Sequence, residues 1–550
     1  MLRTDGRVHR TAAIVTAAAT VLLGLPIALS GAQAAPAVAR TRPTTPPARI
    51  CGNAGVLDGP VAPPAGAVRV NPGQNLHAQT LAHPAGTTFW LAPGTHVLGN
   101  DQFDQVVPKA GNTYLGGPGA VLDGRGVNRY AFGQGEERVG IRHLTIRGFV
   151  APNNEGVVNH DSRRGWVVEA NTITANSGAG VMVGSDNVVR DNCLAANGQY
   201  GFSVFSYGGV TNVTLVHNEI TANNTDDWEV RIPGCGCAGA GKVWETTGAV
   251  ITDNWVHDNR GPGLWADYNN AGIVIEGNYI DNNDGEGIFY EISYNARIAH
   301  NTLRGNAVVK GRALAARGDT FPVGAIYVSE SGGDARVDGG RFSTMEITAN
   351  HLQDNWGGVV LWENADRFCG SPVAGGDYCT RGGTATAATC APPGIANRPA
   401  YDDCRWRTQN VSVHDNDFII DKAALRCAGT LCGLQAVVAN FGSYPSWSPY
   451  MGRVVQESIT FAQNVRFSAN RYSGDWRFNP YEPSRLVDIT AWQAAPYWQD
   501  GDSTFSSSPV PTTTTTTIRT TTTTTTTTPP APNVVTDVVC LLLGFLLCRG

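Results

Sequence analysis

The chain has 550 residues, 42% hydrophobic and 16% charged, so it can bury a large core and is too apolar for a disordered protein. A formal charge of −6 excludes the basic footprint of a nucleic-acid binder. No interior stretch holds the ~20 apolar residues of a membrane span, and the 65 glycines follow no collagen period.

Taken in chain order, Arg3, Arg7 and Arg10 precede an apolar run from Thr11 to Leu29, and Ala32-Gln33-Ala34 offers a small-residue cleavage site. This predicts a signal peptide over 1–34 and general export, with no twin-Arg pair. A Pro/Thr-rich linker follows over 35–50. All twelve cysteines lie beyond the cleavage site, and an even number in an exported chain implies disulfides. Cys369, Cys379, Cys390 and Cys404 read as staples of one insertion, Cys427 and Cys432 of another. Cys235-Gly236-Cys237 lacks the second cysteine pair or nearby His of a zinc site.

From 51 to 506 a repeat dominates. It reads apolar-x-x-Asn-x-apolar-x-x-Asn, with the two Asn five residues apart. Copies fall at Asn171/Asn176, Asn192/Asn197, Asn218/Asn223, Asn254/Asn259, Asn278/Asn283, Asn301/Asn306 and Asn350/Asn355. Asn416/Asp421 and Asn470/Asp475 keep the spacing with a changed second member. Apolar and polar residues alternate with period two over short runs, which argues strands. A unit of about 22 residues with three short strands and three turns describes one coil of a solenoid. Asn and Gly tolerate left-handed backbone, and stacked Asn amides can bond from coil to coil. These Asn are therefore turn-formers rather than ligands. Beyond the repeats, 507–533 is a Thr/Pro-rich stalk, and 534–550 is a short apolar tail with two cysteines, too short to span a bilayer.

Three stretches resemble the right-handed parallel β-helix proteins of the pectate lyase-like superfamily. Phe89–Thr95 with Leu115-Gly116-Gly117 and Val121–Gly124 is similar to the entry coils. The Asn coils from Asn171 to Asn306 are similar to the central repeats. Trp492–Pro496 with Gln499, Asp500 and Ser503 is similar to a closing segment. The resemblance implies an all-β solenoid with loop insertions and a long groove. Signatures of the well-known activities are missing: no Asp-Pro-His-Asp of mannuronan epimerases, only Asn159-His160-Asp161, and no Arg-x-Pro-x-x-Arg of pectate lyases.

Aligning coils on their Asn places Glu245, Asp267, Glu291, Glu330 and Glu363 in one acidic column, firmest for Asp267 and Glu291. Stacked coils lie ~4.8 Å apart, so these two carboxylates need a proton, a cation or a Lys between them. A pair about 5 Å apart suits a retaining glycosidase, one two coils apart an inverting one. The same pair could hold Ca²⁺, which would let a lyase acidify a uronate. Lys242 or Tyr290 then becomes the base, and Lys242 could instead balance charge. Trp244, Trp265, Tyr268 and Trp362 accompany the acids, and aromatic faces beside carboxylates grip sugar rings. Strand alternation suggests Phe289 and Trp265 as the inward-facing rings. The block from Gly234 to Trp244, with Trp265–Asp267 and Tyr290–Ser293, resembles a subgroup of secreted β-helix proteins whose substrates are mostly unassigned. That resemblance implies a site of Lys242, Trp265, Asp267, Asn270, Glu286 and Glu291. Trp244, Tyr268, Trp362 and Glu363 complete the expected substrate-binding set.

The sequence thus predicts a secreted or surface-displayed, monomeric, disulfide-bearing β-helix that acts on polysaccharide as a lyase or hydrolase. Insertions at 228–241, 307–340, 364–410 and 422–456 would rim its groove. The rival readings are a non-catalytic glycan-binding or adhesion module and a uronate epimerase.

Overall fold

A strand only three residues long buries too little to stand alone, so each coil of this protein depends on the next. In the computed structural model Thr172–Thr174, Ala179–Val183, Val188–Arg190 and Cys193–Ala195 follow one another around one turn. Thr172 then pairs with Cys193 one coil on. The structure describes residues 41–508 apart from 338–341, 373–378 and 444. The described residues belong to one unit that begins at Arg40. The expected signal peptide, most of the expected Thr-rich stalk and the apolar tail lie outside them.

Three parallel sheets run through the molecule. A 15-stranded sheet extends from Val68–Val70 to Val465–Ser468, a 13-stranded sheet from Gly94–Val97 to Thr504–Ser506, and a 10-stranded sheet from Gly156–Val158 to Arg477–Tyr481. Strand order within each sheet follows chain order, as a solenoid requires. Inward side chains such as Val189, Leu194, Phe202, Leu215 and Ile220 form one continuous core. Each such side chain contributes roughly 1.5–3 kcal/mol by burial.

The Asn residues form two buried ladders. Nδ2 of Asn171 donates to Oδ1 of Asn192, which repeats through Asn218, Asn254, Asn278, Asn301, Asn350, Asn416 and Asn470. A second ladder runs from Asn176 through Asn197, Asn223, Asn259, Asn283 and Asn306 to Asn355. The left-handed residue of each turn is the one before the first Asn, as at Ala170, Asp191 and His217, with Gly277 in the same place. Asp421 does something different from the Asn it replaces: it accepts from the backbone of Ala423 and Ala424 and shapes the next turn.

The closing segment seals the last coils. Buried Asp500 accepts from Asn470, Trp492, Tyr472 and Ser503.

The described part of the expected 35–50 linker is laid along the 13-stranded sheet. Arg42 pairs with Asp417, Thr302 donates to the Pro43 carbonyl at 2.5 Å, and Ile50 and Cys51 N–H reach Glu219 at 2.7 and 2.8 Å. A disulfide joins Cys51 to Cys193. The other bridges among the described residues are Cys235–Cys237, Cys369–Cys379, Cys390–Cys404 and Cys427–Cys432.

Candidate functional site

Five strands of the 10-stranded sheet carry the candidate residues: β1 (Gly241–Trp244), β2 (Leu264–Asp267), β3 (Ile288–Glu291), β4 (Ile326–Ser329) and β5 (Val359–Asn364). Their register aligns Trp244, Asp267, Glu291, Ser329 and Trp362 in one row. Asp267 and Glu291 are therefore direct partners on adjacent coils. Two residues back, Lys242, Trp265, Phe289, Tyr327 and Val360 form a second outward row. Val243, Ala266, Tyr290, Val328 and Leu361 alternate between them and enter the core.

That alternation corrects three expectations. Tyr290 lies wholly inside the solenoid, its hydroxyl on the Tyr294 carbonyl at 3.3 Å, and burial raises its pKa far above the phenol range. It cannot reach a substrate as a base. Phe289 and Trp265 face outward and stack on each other, centroids 4.9 Å apart. Glu245, Glu330 and Glu363 sit one position past the Asp267/Glu291 row. Glu245 and Glu330 occupy left-handed turn positions alongside Tyr268 and Ile292.

Each acid has a partner. Lys242 Nζ lies 2.7 Å from Asp267, donates to the Gly236 carbonyl at 3.0 Å and sits 4.1 Å above the Trp265 ring. Arg367 donates to Glu291 at 2.7 Å and to Glu330 at 3.2 Å. Trp265 Nε1 approaches Glu291 at 3.3 Å. Burial pushes the Glu291 carboxyl up to about 7; Asp267 and Glu330 push the same way, and Arg367 opposes them. Burial also raises Glu330, again against Arg367. Glu363 pairs with Arg405 and accepts from Thr408 N–H and from Gln463. Side-chain exposure falls along the acids, from 6% at Asp267 and 4% at Glu291 to 0% at Glu330 and Glu363. The column thus passes from a pair of carboxyls in direct register into acids that anchor the 364–410 insertion.

The remaining candidates divide the same way. Glu286 is buried and meets Lys310 Nζ at 2.7 Å. Asn270 belongs to a turn ladder: it accepts from Thr246 N–H and donates to the carbonyls of Val243 and Asp267. Its amide holds backbone rather than sugar. Trp362 joins Tyr327, Val360, Phe289 and Phe321 in an apolar cluster outside the main core. Trp265 has Lys242 and Phe289 as ring neighbours, while Trp244 and Tyr268 are half-buried with centroids 5.1 Å apart. Glu363, Asn270 and Trp362 thereby serve the fold. Trp244, Tyr268, Asp267 and Glu291 remain at the site.

Residues 132–237 and 155–342 match the family model described as a right handed beta helix region. With the parallel three-sheet topology, that decides the architecture. The fold is a right-handed parallel β-helix. This is the fold that the resemblance to the pectate lyase-like superfamily implied.

The β-helix is similar in structure to several solved enzymes. The A-module of mannuronan C-5 epimerase AlgE4 from Azotobacter vinelandii is 13% identical, with a TM-score of 0.34 over 62% of this chain and 88% of that one. Pectate lyase Pel9A is 13% identical, with a TM-score of 0.31 over 54% and 75%. The catalytic unit of a GH87 α-1,3-glucanase from Streptomyces thermodiastaticus strain HF3-3 is 14% identical, with a TM-score of 0.44 over 77% and 67%. No curated protein matches the chain in sequence. Among the described residues no helix is long and apolar enough to cross a membrane.

The calcium reading of Asp267 and Glu291 does not fit the donor set of this β-helix. Lys242 and Arg367 already supply the positive charge a cation would bring. Among the described residues no group of three or more His, Cys, Asp or Glu is placed to hold a metal ion. Sequence reasoning missed Arg367, Arg405 and Lys310. They arrive from insertions far along the chain, and only the unusual run of acids at strand ends hinted that cations must come from somewhere.

Proposed function

We propose that this β-helix protein is a glycoside hydrolase acting on polysaccharide, with Glu291 as proton donor and Asp267 as the partner carboxylate. The observation that carries the reading is the split between two carboxyls in direct register. Glu291 is raised to about 7 by burial, while Asp267 rests against the Lys242 ammonium. Paired titratable groups held in contrasting environments supply acid and base at one site. Adjacent coils lie ~4.8 Å apart, close to the separation of about 5 Å in retaining enzymes. In that chemistry Asp267 bonds to C1 as the glycosidic C–O bond breaks, and Glu291 gives its proton to the departing oxygen. Water then releases the sugar from Asp267, returning a proton to Glu291.

A lyase or epimerase needs a base at C5, and Tyr290 in the core and Lys242 on Asp267 are poorly disposed for it. The test incubates the full chain with uronans and neutral glycans, reading reducing ends and the ultraviolet absorbance of unsaturated uronates. Reducing ends without absorbance are expected, lost in Asp267→Asn and Glu291→Gln. Absorbance would replace the hydrolase with a lyase. Silence across the panel would replace it with the glycan-binding module.

A further inference from the structure

Resting on the hydrolase reading, we infer that the glycan this site takes is neutral. The argument is a charge inventory of the face around Asp267 and Glu291. Among the described residues three cations reach it, and each is held by carboxylates of the protein itself. Lys242 is on Asp267, Arg367 on Glu291 and Glu330, and Lys310 on Glu286, at 2.7 to 3.2 Å. Half-buried Glu229 adds a fifth carboxylate within the field of Lys242 and Lys310. Even with Glu291 protonated as the proton donor, four carboxyl groups, Asp267, Glu330, Glu286 and Glu229, stand against the three cations.

Uronan recognition needs cations that can turn to the substrate, and a carboxylate on every sugar would here meet carboxylates in a partly desolvated setting. Like charges brought together across an interface weaken binding by roughly 100-fold or more. Arg381 is nearby, but it lies on the turn and donates to the Asn269 carbonyl at 2.7 Å and to Thr247 at 3.3 Å. The half-buried rings of Trp244 and Tyr268 offer apolar contact that asks no charge of a hexose.

Calorimetric titration of the full chain at low ionic strength tests this, because exposed charges are then least screened. The ligands are hexamers of glucose, mannose and galactose in several linkages, and hexamers of galacturonate, mannuronate and guluronate. A neutral hexamer is expected to bind with a Kd nearly independent of salt, and every uronate to bind at least about 100-fold more weakly. A uronate within tenfold of the best neutral ligand overturns the inference, as does failure of both sets to bind; loss of uronate binding in Arg381→Ala would identify the cation overlooked. In Asp267→Asn, which releases Lys242, the gap between the two sets is expected to narrow. Neutral binding without cleavage would leave the substrate class standing and remove the hydrolase. Uronate cleavage to reducing ends would do the reverse.

Discussion

Glu291→Gln isolates the electrostatics of the site without needing a substrate. The residue is 3% exposed, and its carboxyl is raised from its ordinary 4.5 to about 7, chiefly by burial. The folded state therefore keeps a proton that the unfolded chain releases above about pH 4.5. Stability contributed by this group falls as pH rises from there and has been lost by about pH 7. At 1.36 kcal/mol per tenfold, the move from 4.5 to about 7 corresponds to about 3 kcal/mol. Gln copies the neutral acid and does not titrate. Urea denaturation of both proteins at pH 4.5 and pH 8 should give similar stabilities at the lower value and a variant more stable by about 3 kcal/mol at the higher one. The other titrating groups are shared, so the difference of differences belongs to Glu291. Parallel pH curves for the two proteins would refute the placement of Glu291 as a desolvated acid.

Three further outcomes are expected. Arg367→Met leaves Glu291 and Glu330 buried without their cation and should cost about 3–5 kcal/mol in urea melts at pH 7; a smaller loss than 1 kcal/mol would show the insertion held by other contacts. Asn218→Ala removes the acceptor of Asn192 N–H and the donor to the Val189 carbonyl, two buried groups worth about 1–3 kcal/mol each, so a midpoint unchanged in urea would refute the ladder's weight. The N-terminal strap should be held best in mild acid. Burial raises Glu219, but His257 and the N–H groups of Cys51 and Ile50 bring it below its ordinary value. Burial lowers His257, and Asp258 with Glu219 carries it above its own. The Glu219 contribution is present above about pH 4.5 and lost as pH falls further; that of His257 is complete below about 6.5 and fades as pH rises. Hydrogen-exchange protection of Ile50 and Cys51 should accordingly peak between these values and be absent as a peak in His257→Gln.

The solenoid was legible because its determinant is periodic. Asn171 to Asn470 recur with the coil, and the amide of each meets the next. The pairing of Asp267 with Glu291 was legible for the same reason, since both strands keep equal distance from their Asn. What failed was local. Glu330 occupies the left-handed turn position after its strand and aligns with Ile292 rather than Glu291, while Glu363 continues its strand one residue past Trp362, so both acids fall outside the row. The in–out alternation was read with the wrong phase at Trp265 and Phe289. That phase depends on which residues the opposite sheets can accommodate, and the spacing of Asn does not encode it. Arg367 and Arg405 were invisible because their partners lie 76 and 42 residues away across an insertion with no repeat.

The first Asn ladder has a direction. In every ladder bond the side-chain amide donates toward the C-terminal coils while its oxygen accepts from the side before it, the remaining N–H going back to a backbone carbonyl of the preceding coil, so the C=O dipoles add along the solenoid axis as peptide dipoles do along a helix. Such a relay can be lengthened by duplicating a coil, because each new Asn receives the backbone and side-chain N–H of the one before and passes its own on in the same way. The second ladder ends on Asn355, whose amide turns back to the Leu303 carbonyl; the first ends on a group that receives and does not pass on. Asp500 is that group: an ionised carboxylate accepts from Asn470 and has no proton to hand forward. An Asn at 500 would leave a donor facing the closed end of the core. Coil number along this ladder is therefore open to duplication up to the last step, where an acid takes the place of the amide.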